Sequence, residues 1–175
     1  PAWCGAYRDP ETGLLARIDG MPGGAVRLRF GHGPERLPLR ADGTAGGSRT
    51  RLRPTAEGLW MDRPQEGFST RLAPIEGAAR PGLAGRYRCE ELEAELTVTD
   101  AGGVAYGGFS GFLGQGRMEL LAHAAGDAWT LPCPRALDHP PPGDWTLDFR
   151  RDAAGTVEEV LVGCWLARGL RYVRV

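Results

Sequence analysis

The sequence predicts an all-β chain built as two consecutive antiparallel β-barrels of about eight strands each. Three features carry this expectation. Apolar and polar residues alternate with period two, as where Val26, Leu28 and Phe30 are set against Arg27 and Arg29, or Leu96 and Val98 against Glu95, Thr97 and Thr99. Glycine occurs 27 times and proline 14 times, spread so evenly that no stretch of helical period survives between breakers. Finally, a short pattern recurs: Gly5-Ala6-Tyr7-Arg8 returns as Gly85-Arg86-Tyr87-Arg88, with Glu11 and Glu91 in the same register.

Taken in order, the first half offers strands at residues 14–18, 26–30, 37–40, 50–53, 59–61 and 68–72. The second half offers them at 96–99, 104–106, 118–121, 129–131, 145–150, 157–165 and 170–175. Between them Asp42-Gly43, Glu57-Gly58, Asp100-Ala101-Gly102-Gly103 and the segment 151–155 supply residues that tolerate positive φ, as tight hairpins require. The copies end alike too, on strands opened by Gly67-Phe68 and Gly169-Leu170. The expected organisation is therefore a first barrel over 1–78, a linker over 79–84 and a second barrel over 85–175. A barrel is preferred to a sandwich because closure removes exposed sheet edges. The repeated tyrosine, Tyr7 and Tyr87, is expected to pack at a barrel end with its hydroxyl on a backbone group.

Composition excludes several functions. The formal net charge is −1 and the arginines are scattered among acidic residues, so nucleic acid is not an expected partner. No apolar run reaches the about 18 residues that would span a bilayer, and Pro1-Ala2-Trp3-Cys4 has no signal-peptide character, so no membrane is expected. A cytoplasmic setting follows, provisional on any signal lying upstream. All 21 basic residues are arginine; lysine is absent, which removes S-x-x-K nucleophiles, P-loops and Schiff bases. The cysteines at 4, 89, 133 and 164 form no C-x-x-C pair and read as free thiols, with a Cys133 to Cys164 bridge left open. His32, His123 and His139 lack ligand spacing, so neither a metal nor any other cofactor is expected.

Individual motifs also read as structural. Ser110 in Gly108-Phe109-Ser110-Gly111-Phe112 has Phe where a nucleophile elbow needs Gly, and no helix follows it. Cys133 and His139 share a proline-interrupted segment that cannot hold a thiol–imidazole pair. Gly31-His32-Gly33 and Gly114-Gln115-Gly116 open no helix and read as turns. Adjacent glutamates such as Glu158 and Glu159 point to opposite faces of a strand. The segment from Gly107 to Gly116 is different, because five glycines there alternate with Phe109, Phe112 and Leu113. It predicts a pliant, apolar loop that either plugs its own barrel or inserts into another domain, followed by Arg117 as a candidate carboxylate partner.

The stretches 9–15 and 108–111, the set Gly85, Tyr87, Glu90, Glu91 and Leu92, Gly143-Asp144-Trp145 after Pro142, and the terminal 163–168 together resemble the non-catalytic C-terminal domains of penicillin-recognising D-aminopeptidases. The resemblance spans nearly the whole chain. It implies two lipocalin-like eight-stranded barrels. They would be an accessory module to a β-lactamase-like serine hydrolase domain, with a homodimer left open. It also implies that a loop of the last barrel reaches the catalytic pocket. By position, that loop comprises Phe109, Ser110, Gly111, Phe112, Leu113, Gly114, Gln115, Gly116 and Arg117. The family's S-x-x-K, Tyr-x-Asn and H-x-G elements are missing, so no catalytic residue is expected on this chain. The alternative is a lipocalin-like module holding a small apolar ligand.

Overall fold

The computed structural model describes residues 1–112, 114–132 and 143–175; Leu113, Cys133, His139 and Pro142 lie outside the described residues. Eight strands make the first sheet: β1 (Gly5–Arg8), β2 (Leu15–Met21), β3 (Ala25–Arg29), β4 (Glu35–Pro38), β5 (Ala45–Gly46), β6 (Arg51–Thr55), β7 (Gly58–Arg63) and β8 (Phe68–Pro74). Their order is β4-β3-β2-β1-β8-β7-β6-β5, every pair antiparallel, and a bridge from Leu39 to Ala45 joins the two ends of the row. The sheet thus curls into a nearly closed barrel. Alternation sets its interior: Val26, Leu28 and Phe30 are buried together with Ile18, Leu52, Leu59, Met61 and Leu72.

The second sheet has ten strands: β9 (Gly85–Cys89), β10 (Ala94–Ala101), β11 (Val104–Gly111), β12 (Gly114–Gln115), β13 (Glu119–Leu120), β14 (Ala122–Ala125), β15 (Ala128–Leu131), β16 (Trp145–Arg151), β17 (Val157–Gly163) and β18 (Leu170–Arg174). The row runs β12-β11-β10-β9-β18-β17-β16-β15-β14, with β13 beside β11. Between β13 and β14 the chain crosses from one end of the row to the other, and the Leu121 N–H donates to the Ala105 carbonyl at 2.9 Å. Its core holds Leu96, Val98, Leu147, Phe149, Val160 and Val162 around Tyr87.

The all-β expectation and the recurrence both appear in the structure. Tyr7 donates its hydroxyl to the Trp3 carbonyl at 2.6 Å and Tyr87 to the Leu83 carbonyl at 2.7 Å, the same four-residue reach in each half. Burial holds both phenols above their ordinary pKa. The strand expected over 157–165 ends at Gly163, because the Cys164 N–H turns back to the Ala167 carbonyl at 2.6 Å. Cys4, Cys89 and Cys164 are free thiols.

The two sheets meet side by side. The outer face of β16 lies on β1 and β2: Asp148 takes two hydrogen bonds from Arg8, at 2.7 and 2.5 Å, and the Thr146 hydroxyl accepts from the buried Leu15 N–H at 2.9 Å. Arg17 donates to the His123 carbonyl at 3.1 Å. From the turn after β17, Trp165 crosses the seam and enters the end of the first barrel. Its ring centroid lies 5.1 Å from that of Phe68, 5.9 Å from Phe30 and 5.7 Å from His32. Gly31 makes this approach possible, since a Cβ there would sit 3.0 Å from the indole. The connection between the sheets is held down as well: Arg151 donates to the Pro81 carbonyl and pairs with Asp127, which also pairs with Arg80.

At the seam Asp144 stands 4.0 Å from Arg29, too far for a hydrogen bond, and burial pushes its carboxyl above the usual range against the pull of that guanidinium. The folded chain therefore holds this proton more tightly than the unfolded chain. Stability from this group is present in acid and is lost as pH rises from the ordinary carboxylate range through the raised value. Asp144→Asn is expected to match the wild type in acid and to exceed it in stability toward neutral pH. Urea midpoints measured across that pH range check this; equal midpoints throughout would refute it.

Candidate functional site

The segment singled out by sequence is a hairpin rather than a pliant loop. Residues 107 and 108 continue β11 in register with Val98 and Thr97, and the strand runs on to Gly111. At its outer end it also pairs with β12: Ser110 lies between Glu95 of β10 and Gln115, and Gly111 stands opposite Gly114. The Gly116 N–H then donates to the Phe109 carbonyl at 2.7 Å, stapling the base. The glycine content that suggested pliancy has a packing cause at Gly108. A Cβ there would lie 2.8 Å from the Met118 sulfur and 2.9 Å from the Arg117 carbonyl, so the returning chain can cross only over a bare backbone.

The apolar residues of the segment do not share one environment. Phe109 turns inward and packs in its own barrel, 5.6 Å from Trp145 and 5.7 Å from Tyr172 between ring centroids. Burial, reinforced by the neighbouring Cys89, pushes the Tyr172 phenol up to about 12, as befits a core residue. Phe112 turns outward at the tip and is 95% exposed. Gly111, Gly114, Gln115, Gly116 and Arg117 are also exposed, Ser110 is half-buried, and Leu113 lies outside the described residues. The finger thus has an anchored base and an aromatic tip. Full burial of such a ring in a partner is worth about 1.5–3 kcal/mol.

Antiparallel alternation also fixes where the finger stands. The connections β9–β10, β11–β12 and β17–β18 all lie at one end of the second barrel. Leu92 in the first of these is 46% exposed and Leu166 in the last is 81% exposed. Sequence reading missed both, because an isolated apolar residue in a polar turn is commonplace until topology sets it beside others. Trp165, adjacent to Leu166, reaches the Phe30 and Phe68 end of the first barrel.

Among the described residues, no group of three or more His, Cys, Asp or Glu side chains is placed to hold a metal ion. His123 packs on Trp129, and His32 lies 3.3 Å from Glu66 beside Trp165. Among the described residues, no helix is long and apolar enough to cross a membrane. A cleft of about 500 Å³ opens at the seam, lined among others by Arg8, Glu76, Asp127, Asp148 and Arg150. Ile75, Ala125, Ala128 and Phe149 share that lining with the charged side chains.

Comparison with known proteins adds the wider setting. The family model described as D-aminopeptidase, domain B matches residues 1–173. The chain is 43% identical over 175 residues to a D-aminopeptidase of Brucella melitensis, covering all of this chain and 34% of that protein. It is equally similar to the D-aminopeptidase of Brucella ovis. With the D-aminopeptidase of Gluconobacter oxydans it shares 54% identity over 181 residues, 98% of this chain and 34% of that one. The chain spans about a third of the length of the curated relatives it matches.

Proposed function

Because the chain belongs to the D-aminopeptidase domain B family, we propose that it is the non-catalytic accessory module of a D-aminopeptidase-like serine hydrolase, whose finger gates substrate access to a catalytic domain elsewhere in the parent protein. One observation carries the reading. A hairpin stapled at its base by Gly116 and anchored by Phe109 holds Phe112 out in solvent. An exposed aromatic ring on a rigid stalk is costly to leave in water and gains most by entering a cavity.

The proposed gate comprises residues 109–117, with Phe112 as its leading group and Arg117 at the returning base. The proposed partner is a β-lactamase-like domain in the same polypeptide, with a homodimer as a further assembly. In this reading residues 1–78 and 85–175 are the two barrel units, joined by 79–84. The catalytic groups are supplied by the partner, since this chain has no lysine for an S-x-x-K nucleophile. A cytoplasmic setting accords with the free thiols of Cys4, Cys89 and Cys164.

The test is Phe112→Ala in the full-length parent. The ring is solvent-exposed, so its removal leaves the barrel core intact. The expected result is a broader substrate range, with kcat/KM rising roughly tenfold for bulky substrates and little changed for the smallest, because a steric block removed acts selectively. An unchanged substrate profile would remove the gating claim. A small-ligand carrier, the other reading, has no specific observation in its favour.

A further inference from the structure

We infer that the cleft at the seam is a binding site for a small zwitterion, a free amino acid or short peptide, whose ammonium meets Glu76 and whose carboxylate meets Arg150. The cleft lies between the barrels and not inside either, so it differs from a barrel-interior carrier. Most charges on its walls are already satisfied by the protein. Arg8 is bound to Asp148, and Asp127 is bound to Arg80 and Arg151. Glu76 and Arg150 differ: both are exposed, and neither has an ion pair or side-chain hydrogen bond among the described residues. The carboxylate opposite Arg150 on the next strand, Glu159, is held by Arg171 instead.

The two charges come from different barrels, and each stands on a fixed wall. Glu76 follows β8 and lies between two tethered neighbours: the Ile75 N–H donates to the Ala6 carbonyl at 3.0 Å, and the Gly77 carbonyl accepts from the Gly126 N–H at 3.0 Å. Arg150 projects from the same outer face of β16 as Asp148, two residues along. A wall formed before the ligand arrives removes much of the ordering cost of binding. Ile75, Ala125 and Ala128 add apolar surface, and the volume of about 500 Å³ suits a small-molecule site at a seam between domains. An anion alone would leave Glu76 unanswered and a cation alone would leave Arg150 so, whereas a molecule carrying both charges answers both.

The test is calorimetric titration of the full-length protein with leucine, beside leucinol, which lacks the carboxylate, and N-acetylleucine, which lacks the ammonium. Leucine is expected to bind with a dissociation constant on the order of a millimolar, and each analogue roughly tenfold more weakly. Glu76→Gln is expected to weaken leucine roughly tenfold and to erase its advantage over N-acetylleucine; Arg150→Gln is expected to erase its advantage over leucinol. Both residues are exposed and lie outside the barrel cores, so the variants fold. Leucine is also expected to slow hydrogen exchange at residues 75–77 and 126–128. Absence of leucine binding, or binding unchanged in both variants, would overturn the inference. A loss in one variant alone would mean a singly charged ligand and would overturn the zwitterion. The gating proposal stands or falls separately, because Phe112→Ala alters no residue of the cleft.

Discussion

Trp165→Ala is expected to lower the stability of the chain by about 3 kcal/mol and to uncouple the two barrels. The figure sits at the lower end of the range for a buried tryptophan because the indole is only partly enclosed. Its contacts nonetheless belong to the first barrel: Phe30 and Phe68 meet its edge, His32 lies beside it, and Arg168 stacks at 5.2 Å on its other side. Gly31 sits where a compensating side chain would have to enter, at φ 70°, so the gap stays open. Denaturant unfolding followed by a probe in each half checks this. The wild type should lose both halves in one transition, and the variant should lose the first barrel earlier. Trp165→Phe should restore most of the coupling, since an aromatic edge remains available to both phenylalanines. A loss below about 1 kcal/mol, within reach of an ordinary surface change, would refute this account of the seam.

The second large effect is expected at the same end of the first barrel, where Arg63 is 1% exposed. Its guanidinium donates to the Phe30 carbonyl at 3.0 Å and to Glu35, lies 3.5 Å from Glu66, and sits over the Phe30 ring at 5.5 Å. Glu35 is held in turn by the Thr50 hydroxyl at 2.7 Å. Glu35→Ala leaves a buried cation short of its main partner, at an expected cost of about 2–3 kcal/mol. That is somewhat below the figure for a fully buried pair, because Glu66 remains and Glu35 is partly open to water. Arg63→Met with Glu35→Ala removes charge and countercharge together and is expected to recover part of the loss. Urea unfolding of the two variants tests this; a double variant less stable than Glu35→Ala would show that the guanidinium is held chiefly by its backbone and aromatic contacts.

Much of the architecture was legible because period-two burial is a local property. Val26, Leu28 and Phe30 had to face one way whatever the rest of the chain did, and the paired tyrosines announced a repeated barrel end. Short strands escaped notice for the same reason: β5 is Ala45 and Gly46, β12 is Gly114 and Gln115, and two residues carry no periodicity. The segment around Gly107 and Gly108 misled because glycine signals freedom in isolation, whereas here it marks a place where Met118 and Arg117 cross the strand. Of the candidate site, the apolar character of the finger was readable, but the separation of Phe109 from Phe112 was not.

What the sequence determined alone is the class of object: alternating strands, two copies, and a chain without lysine chemistry. What the tertiary structure decided is how the copies are joined and what they present. Thr146 and Asp148 look like ordinary outward residues of one strand until Leu15 and Arg8 meet them, and Leu92 and Leu166, 74 positions apart, share a rim because the first and last strands of the second sheet, β9 and β18, pair with each other. Alternation reports which face of a strand is dry, and that preference is written residue by residue. Which distant surface supplies the dryness, or the charge opposite, depends on closure and docking, whose energies belong to pairs of residues that no local pattern connects.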